Sequence, residues 1–151
     1  MKNKKKEVVE IEIPTKSIRI KYAMCGNGHS LMDDEHLIHG DPSISVLAKF
    51  NDQEGLIYLD PVYGSFQNMW EITVPQGECV ELFCPTCHVS LSEHGQICDE
   101  CLAPMFAIYL PHGGMIEACT RNGCHHHLLK FTDSDEIGKQ LLEEHYFDDM
   151  F

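Results

Sequence analysis

Basic residues are scarce in this sequence. Among its 151 residues, 11 Lys and Arg stand against 24 Asp and Glu, a formal net charge of −13. Four of the lysines (Lys2, Lys4, Lys5 and Lys6) crowd the N-terminus, so the rest of the chain is more acidic still. Such a body repels phosphate backbones, and nucleic-acid binding wants a basic stripe. The short lysine run does not supply one and reads as a solvated, frayed tail over residues 1–6. No run of about eighteen apolar residues is present, so no membrane-spanning helix is expected. The basic N-terminus also lacks the apolar stretch of a signal peptide. The expected location is the cytoplasm.

Several catalytic signatures are missing too. There is no Gly-rich phosphate loop and no nucleophile elbow. The His-x-Glu and Pro-Cys-x-x-Cys pair of the zinc deaminases is absent. Acidic clusters such as Asp33-Asp34-Glu35 read as solvated surface. What the chain does have is ordinary globular material, with 43% hydrophobic residues. That suits one domain, or two small modules sharing a seam, with a modest core that gains from a staple.

Eight cysteines are the feature that needs an explanation. A chain of the reducing cytosol disfavours disulfides, and paired Cys-x-x-Cys spacing marks metal binding. Cys84-Pro85-Thr86-Cys87 and Cys98-Asp99-Glu100-Cys101 are two such pairs. Cys119 and Cys124 are spaced more widely around Asn122-Gly123. Cys25 lies four residues before His29, and Cys79 reads as a spare, buried as a small hydrophobe. A redox reading of the Cys-x-x-Cys pairs would want a βαβ setting, which this pattern lacks.

The pattern around these residues predicts a mostly β (small α+β) fold. Alternation marks strands at Val8–Ile13 and Ser17–Tyr22, with Pro14 between them. Ser43–Phe50 and Gly55–Leu59 form a second pair joined by a polar turn. Trp70–Val74 and Val80–Phe83 form a third around Pro75-Gln76-Gly77. Met105–Leu110 and Met115–Ala118 make a hairpin about Pro111–Gly114, and Leu128–Phe131 is a last strand. Asp133 with Glu136 resembles a capping box and opens one C-terminal helix. The organisation is thus a β-rich region over 7–78, a cysteine-rich region over 79–131, and a helix with an acidic tail over 132–151. A faint echo sets Met24-Cys25-Gly26-Asn27-Gly28-His29-Ser30-Leu31 beside Phe83-Cys84-Pro85-Thr86-Cys87-His88-Val89-Ser90-Leu91, which suggests that Cys25 and His29 form a knuckle of their own.

Four sulfurs on two tight turns satisfy the tetrahedral demand of zinc. Cys84, Cys87, Cys98 and Cys101 are therefore expected on one ion, with residues 88–97 as the intervening hairpin and His94-Gly95-Gln96 as its turn. These motifs resemble the zinc-ribbon family in its short form, over about twenty residues. The resemblance implies zinc-ribbon hairpins and a closed metal site, and no particular activity. The family often has Gly after each knuckle, where this chain has His88 and Leu102. Four cysteines alone do not distinguish zinc from iron.

Cys119 and Cys124 need two further ligands, and Cys25 with His29 are the natural pair. His125, His126 and His127 compete with His29 as the nitrogen donor. Alternation in the following strand puts His125 and His127 on one side and His126 on the other. Two Zn2+ ions per chain are expected. The sequence reads as a non-catalytic structural zinc-binding protein, a scaffold or accessory subunit with a protein partner. A small metalloenzyme with an open zinc site at Cys119, Cys124 and one His is the alternative, and a nucleic-acid binder stands third. The apolar loop Asp60–Phe66 either packs over the core or meets the partner.

Overall fold

The computed structural model describes residues 18–131 and 148–149. The expected strand at Val8–Ile13 and the expected helix after Asp133 lie outside these residues. Among the described residues the chain is all β apart from a 3-10 turn at Pro111–Gly113. No helix among them is long and apolar enough to cross a membrane.

Strand β1 (Ile18–Arg19) pairs with the terminal β11 (Asp148–Asp149). The first large sheet is built on β2 (Met32–Ile38), β3 (Asp41–Phe50), β4 (Gln53–Leu59) and β5 (Met69–Trp70), with β6 (Glu81–Phe83) pairing the far half of β3. The second has the order β10 (His127–Phe131), β9 (Gly114–Cys119), β8 (Pro104–Tyr109) and β7 (Ser92–Ile97). The hairpins expected around residues 51–54 and 111–114 are present as β3–β4 and β8–β9. The third expected pair is not: β5 pairs β4, whereas β6 pairs β3, so the two strands around Pro75–Gly77 belong to different edges. Acid-rich β2 was missed because its side chains are largely exposed and carry no apolar alternation.

The two sheets are copies of one another. Leu31 N–H bonds Ala23 O (2.8 Å) and Leu31 O accepts from Ser45 N–H (2.7 Å), while Leu91 N–H bonds Leu82 O (2.9 Å) and Leu91 O accepts from Ala107 N–H (2.8 Å). Ser30 and Ser90 each take the N–H two residues on, at 3.1 and 3.0 Å. In both sheets a bulge interrupts the first pairing, between Asp33 and Leu37 in one and between Ser92 and Ile97 in the other. Register correspondences continue to the end, where Ile57–Trp70 in the first sheet matches Ile116–Leu129 in the second. Residues 19–70 and 79–129 are therefore two repeats of one unit, of which the sequence echo is the best-preserved fragment.

The repeats are joined reciprocally. Met24 of the first repeat exchanges both backbone hydrogen bonds with Tyr109 of the second, at 2.8 and 2.9 Å. Phe83 of the second pairs with Leu47 of the first. This mutual arrangement is that of an approximate two-fold, as in an isologous dimer interface. One apolar core lies between the repeats, drawing Ile20, Ile44, Ile57 and Leu82 together with Phe106, Ile108 and Ile116.

Candidate metal centres

The eight expected ligands converge, but in a different partition. Cys25, His29, Cys84 and Cys87 form one group and Cys98, Cys101, Cys119 and Cys124 the other, each with its donor atoms within 4.8 Å of one another. The expected assignment put both Cys-x-x-Cys pairs on one ion, whereas the structure places each pair in a different group. The residues between them do not form a hairpin. Instead β7 carries the chain away from the first knuckle and pairs with β8, so that Cys98–Cys101 becomes the β7–β8 turn. His94-Gly95-Gln96, the expected turn, falls within the bulge of β7.

The first group straddles the approximate two-fold, with one pair of ligands from each repeat. Cys25 Sγ lies 3.6 Å from His29 Nδ1 and 3.8 Å from Cys87 Sγ. A tetrahedron with Zn–S near 2.3 Å and Zn–N near 2.05 Å has S···S edges of about 3.8 Å and S···N edges of about 3.6 Å. The separations fit a tetrahedral ion and are far too long for a disulfide. Backbone N–H groups of Asn27 and Thr86 reach Cys25 Sγ and Cys84 Sγ, both at 3.3 Å, and Asn27 Nδ2 reaches Cys87 Sγ at 3.5 Å.

The second group lies wholly within the second repeat and ties the β7–β8 turn to the loop after β9. Its Cys98–Cys124 and Cys101–Cys119 sulfur separations are 3.8 and 3.4 Å. Arg121 is the residue that sequence reasoning missed. Its Nε donates to Cys101 Sγ at 3.2 Å, and its other nitrogens hold Gly77 O at 2.7 Å and Cys101 O at 3.3 Å. Its place between Cys119 and Cys124 was the available signal. The guanidinium stands where it would be matched to ligand charge: four thiolates around a divalent ion would leave −2, three thiolates and an imidazole only −1.

Both Cys-x-x-Cys knuckles have the same build. Cys84 N–H bonds Val89 O at 2.9 Å and His88 N–H bonds Cys84 O at 2.9 Å; in the second, Cys98 N–H bonds Ala103 O at 2.8 Å and Leu102 N–H bonds Cys98 O at 2.9 Å. This closure requires a left-handed residue, and His88 (φ 63°) and Leu102 (φ 67°) adopt it without being glycine.

The thiols are tuned unequally. Cys87 is pulled down to about 6, chiefly by the backbone at Val89 and then by Asn27. Cys101 is pulled down to about 6 as well, chiefly by Arg121. Burial pushes Cys119 well up. Each group thus offers a ready thiolate beside sulfurs that an ion would have to deprotonate on binding.

The histidine trio completes neither group. His125 stacks on Phe66 (ring centroids 4.1 Å apart, planes 9° apart), and His127 packs edge-on against Tyr63 at 4.7 Å. His126 Nδ1 points the other way, 3.6 Å from Glu100 Oε2. The expected alternation of the three rings is therefore present, and the apolar loop Asp60–Phe66 packs against it. Cys79 is half-buried beside the second group and is not one of its four members.

No family model, no curated protein and no solved structure matches this chain. The zinc-ribbon likeness accordingly stands on the two knuckles alone, and these serve two different groups.

Proposed function

We propose that this is a non-catalytic, zinc-stapled scaffold protein that holds two Zn2+ ions per chain and presents its surface to a protein partner. The observation that carries the reading is the closure of both groups: each gathers four Cys or His donor atoms within 4.8 Å of one another. A structural zinc site uses four protein ligands, whereas a catalytic one keeps a position for water. The alternative of an open site at Cys119, Cys124 and a histidine loses its support, since Cys98 and Cys101 stand where water would bind. Zinc is favoured over iron by the mixed Cys3His set and by its indifference to redox state.

The two ions have different tasks in this reading. The first holds one repeat to the other, and the second rigidifies the end of the second repeat. Docking of a partner is supported by Ile97 and Leu102, 56% and 76% exposed beside the Cys98–Cys101 knuckle. Elemental analysis of untagged protein is the test, read together with unfolding in a chelator. Two zinc ions per chain and a large loss of thermal stability on their removal are expected. A single ion, iron in place of zinc, or an unchanged melting temperature after stripping would overturn the reading.

A further inference from the structure

A cavity of about 250 Å³ lies between the two sheets, on the approximate two-fold that relates the repeats. Its walls come in related pairs: Ile20 with Val80, Ile57 with Ile116, and Leu59 with Ala118. An apolar void of about 150 Å³ stays dry and takes benzene, so this one is scaled to about ten heavy atoms.

Four of the polar side chains around the cavity are committed elsewhere. Asp60 collects Ser65 Oγ, the N–H groups of Val62 and Gln67, and His39 Nε2, at 2.6 to 2.9 Å. Arg121 is engaged with Cys101 and Gly77. Thr120 Oγ1 donates to Pro104 O at 2.8 Å, and Asn122 Nδ2 to Val74 O at 2.8 Å. A charged guest would find neither Asp60 nor Arg121 free, and of the lining histidines His125 stacks on Phe66, His126 faces Glu100 and His127 bonds the His125 carbonyl; burying a charge unpaired is costly. The exposed members of the lining are Gly64, Gly123 and His125, which places the mouth at the two loops that follow β4 and β9. There Phe66 and His125 lie face to face at related positions, a pair of flat rings at the entrance.

We infer that this inter-repeat cavity is a binding site for a small, uncharged aromatic molecule of one or two fused rings. The site is separate from the metal groups and stands or falls independently of what ion they hold. Indole is a suitable probe, with indoxyl sulfate as its charged counterpart. Calorimetric titration of the full-length protein should show saturable indole binding with a dissociation constant below about 1 mM, and at least tenfold weaker binding of the sulfate. Ala118→Phe fills the cavity from one wall, and Leu59→Phe fills it from the related position on the other. Either variant should weaken indole binding at least tenfold while keeping the metal content and a melting temperature no lower than wild type. The two together keep a local packing fault in one from deciding the result. Absence of saturable indole binding, equal binding of the sulfate, or binding untouched in both variants would overturn the inference.

Discussion

Asp60 stands in the first repeat where Cys119 stands in the second. Each anchors the loop that follows by accepting the N–H two residues on, Val62 to Asp60 Oδ1 at 2.9 Å and Arg121 to Cys119 Sγ at 3.4 Å. The loops then turn alike. Ser65 N–H bonds Val62 O at 3.0 Å, and Cys124 N–H bonds Arg121 O at 3.0 Å. Gly64 (φ 88°) and Gly123 (φ 101°) occupy the same left-handed step before those residues. One loop is closed by a buried carboxylate and the other by two sulfurs of a metal group. Burial pushes the Asp60 carboxyl up, but the donors at Ser65, Val62, Gln67 and His39 outweigh it and hold the group below its ordinary range.

Replacing that carboxylate tests the equivalence. Asp60→Asn leaves the shape but presents an amide to donors that now lack an anion, and should cost about 2–4 kcal/mol. Urea unfolding reads the loss as a lower midpoint, with both ions retained. A midpoint equal to wild type would show that Asp60 does not anchor the loop.

The two metal groups predict unequal losses. Cys84→Ser breaks the group to which both repeats contribute and should abolish cooperative thermal unfolding or lower its midpoint most. Cys98→Ser should leave one ion bound and a smaller shift, since the second group closes a turn within one repeat. Melting curves with metal analysis of each variant compare them directly. The reverse ranking would argue against the inter-repeat role of the first site.

Alkaline stability should report on Tyr58. Burial, then the hydrogen bond that its Oη donates to Glu71 Oε2 at 2.7 Å, pushes this phenol up to about 12 from an ordinary 10.0. The folded state thus keeps a proton that the unfolded state loses first. The associated stability is complete below about pH 10 and falls as pH rises from about 10 to about 12. Tyr58→Phe should flatten that slope in denaturant titrations across this range, and a slope unchanged in the variant would count against the assignment.

Leu102 holds a left-handed conformation that costs an L-residue about 1–2 kcal/mol, partly balanced by the greater unfolded-state freedom of glycine. It is also 76% exposed, so little packing is at stake. Leu102→Gly should raise stability by up to about 1 kcal/mol with metal content unchanged. Weaker binding of a partner by the same variant would implicate this side chain in docking.

Much of this was legible in the residues themselves. The central hairpins were visible because Ser43–Phe50 and Met105–Leu110 are long, apolar and bounded by polar turns. The eight donors that the structure gathers into two groups are the ones that type and spacing pick out. Their partition was not legible, because spacing measures distance along the chain, and the segment from Ser92 to Ile97 that looks like a local hairpin is a strand spent on pairing with β8. The information was present in the Met24–Leu31 and Phe83–Leu91 echo. Equivalent knuckles in a two-fold arrangement meet each other, so Cys25 and His29 belong with Cys84 and Cys87. Beyond that stretch the repeats share backbone hydrogen bonds and little sequence. Where Asp60 answers to Cys119 and Phe66 to His125, no comparison of letters reveals the match.

The reciprocal pairing of Met24 with Tyr109 and of Phe83 with Leu47 gives the segment between Trp70 and Cys79 an unexpected importance. Each repeat adds backbone pairing to its neighbour's sheet, so the connection acts as a tether between two halves of what is, in effect, a dimer on one chain. Tethering replaces a concentration-dependent association by an intramolecular one at high effective concentration. Cut at that point, the same contacts would persist between fragments, but assembly would depend on how much of each fragment was present.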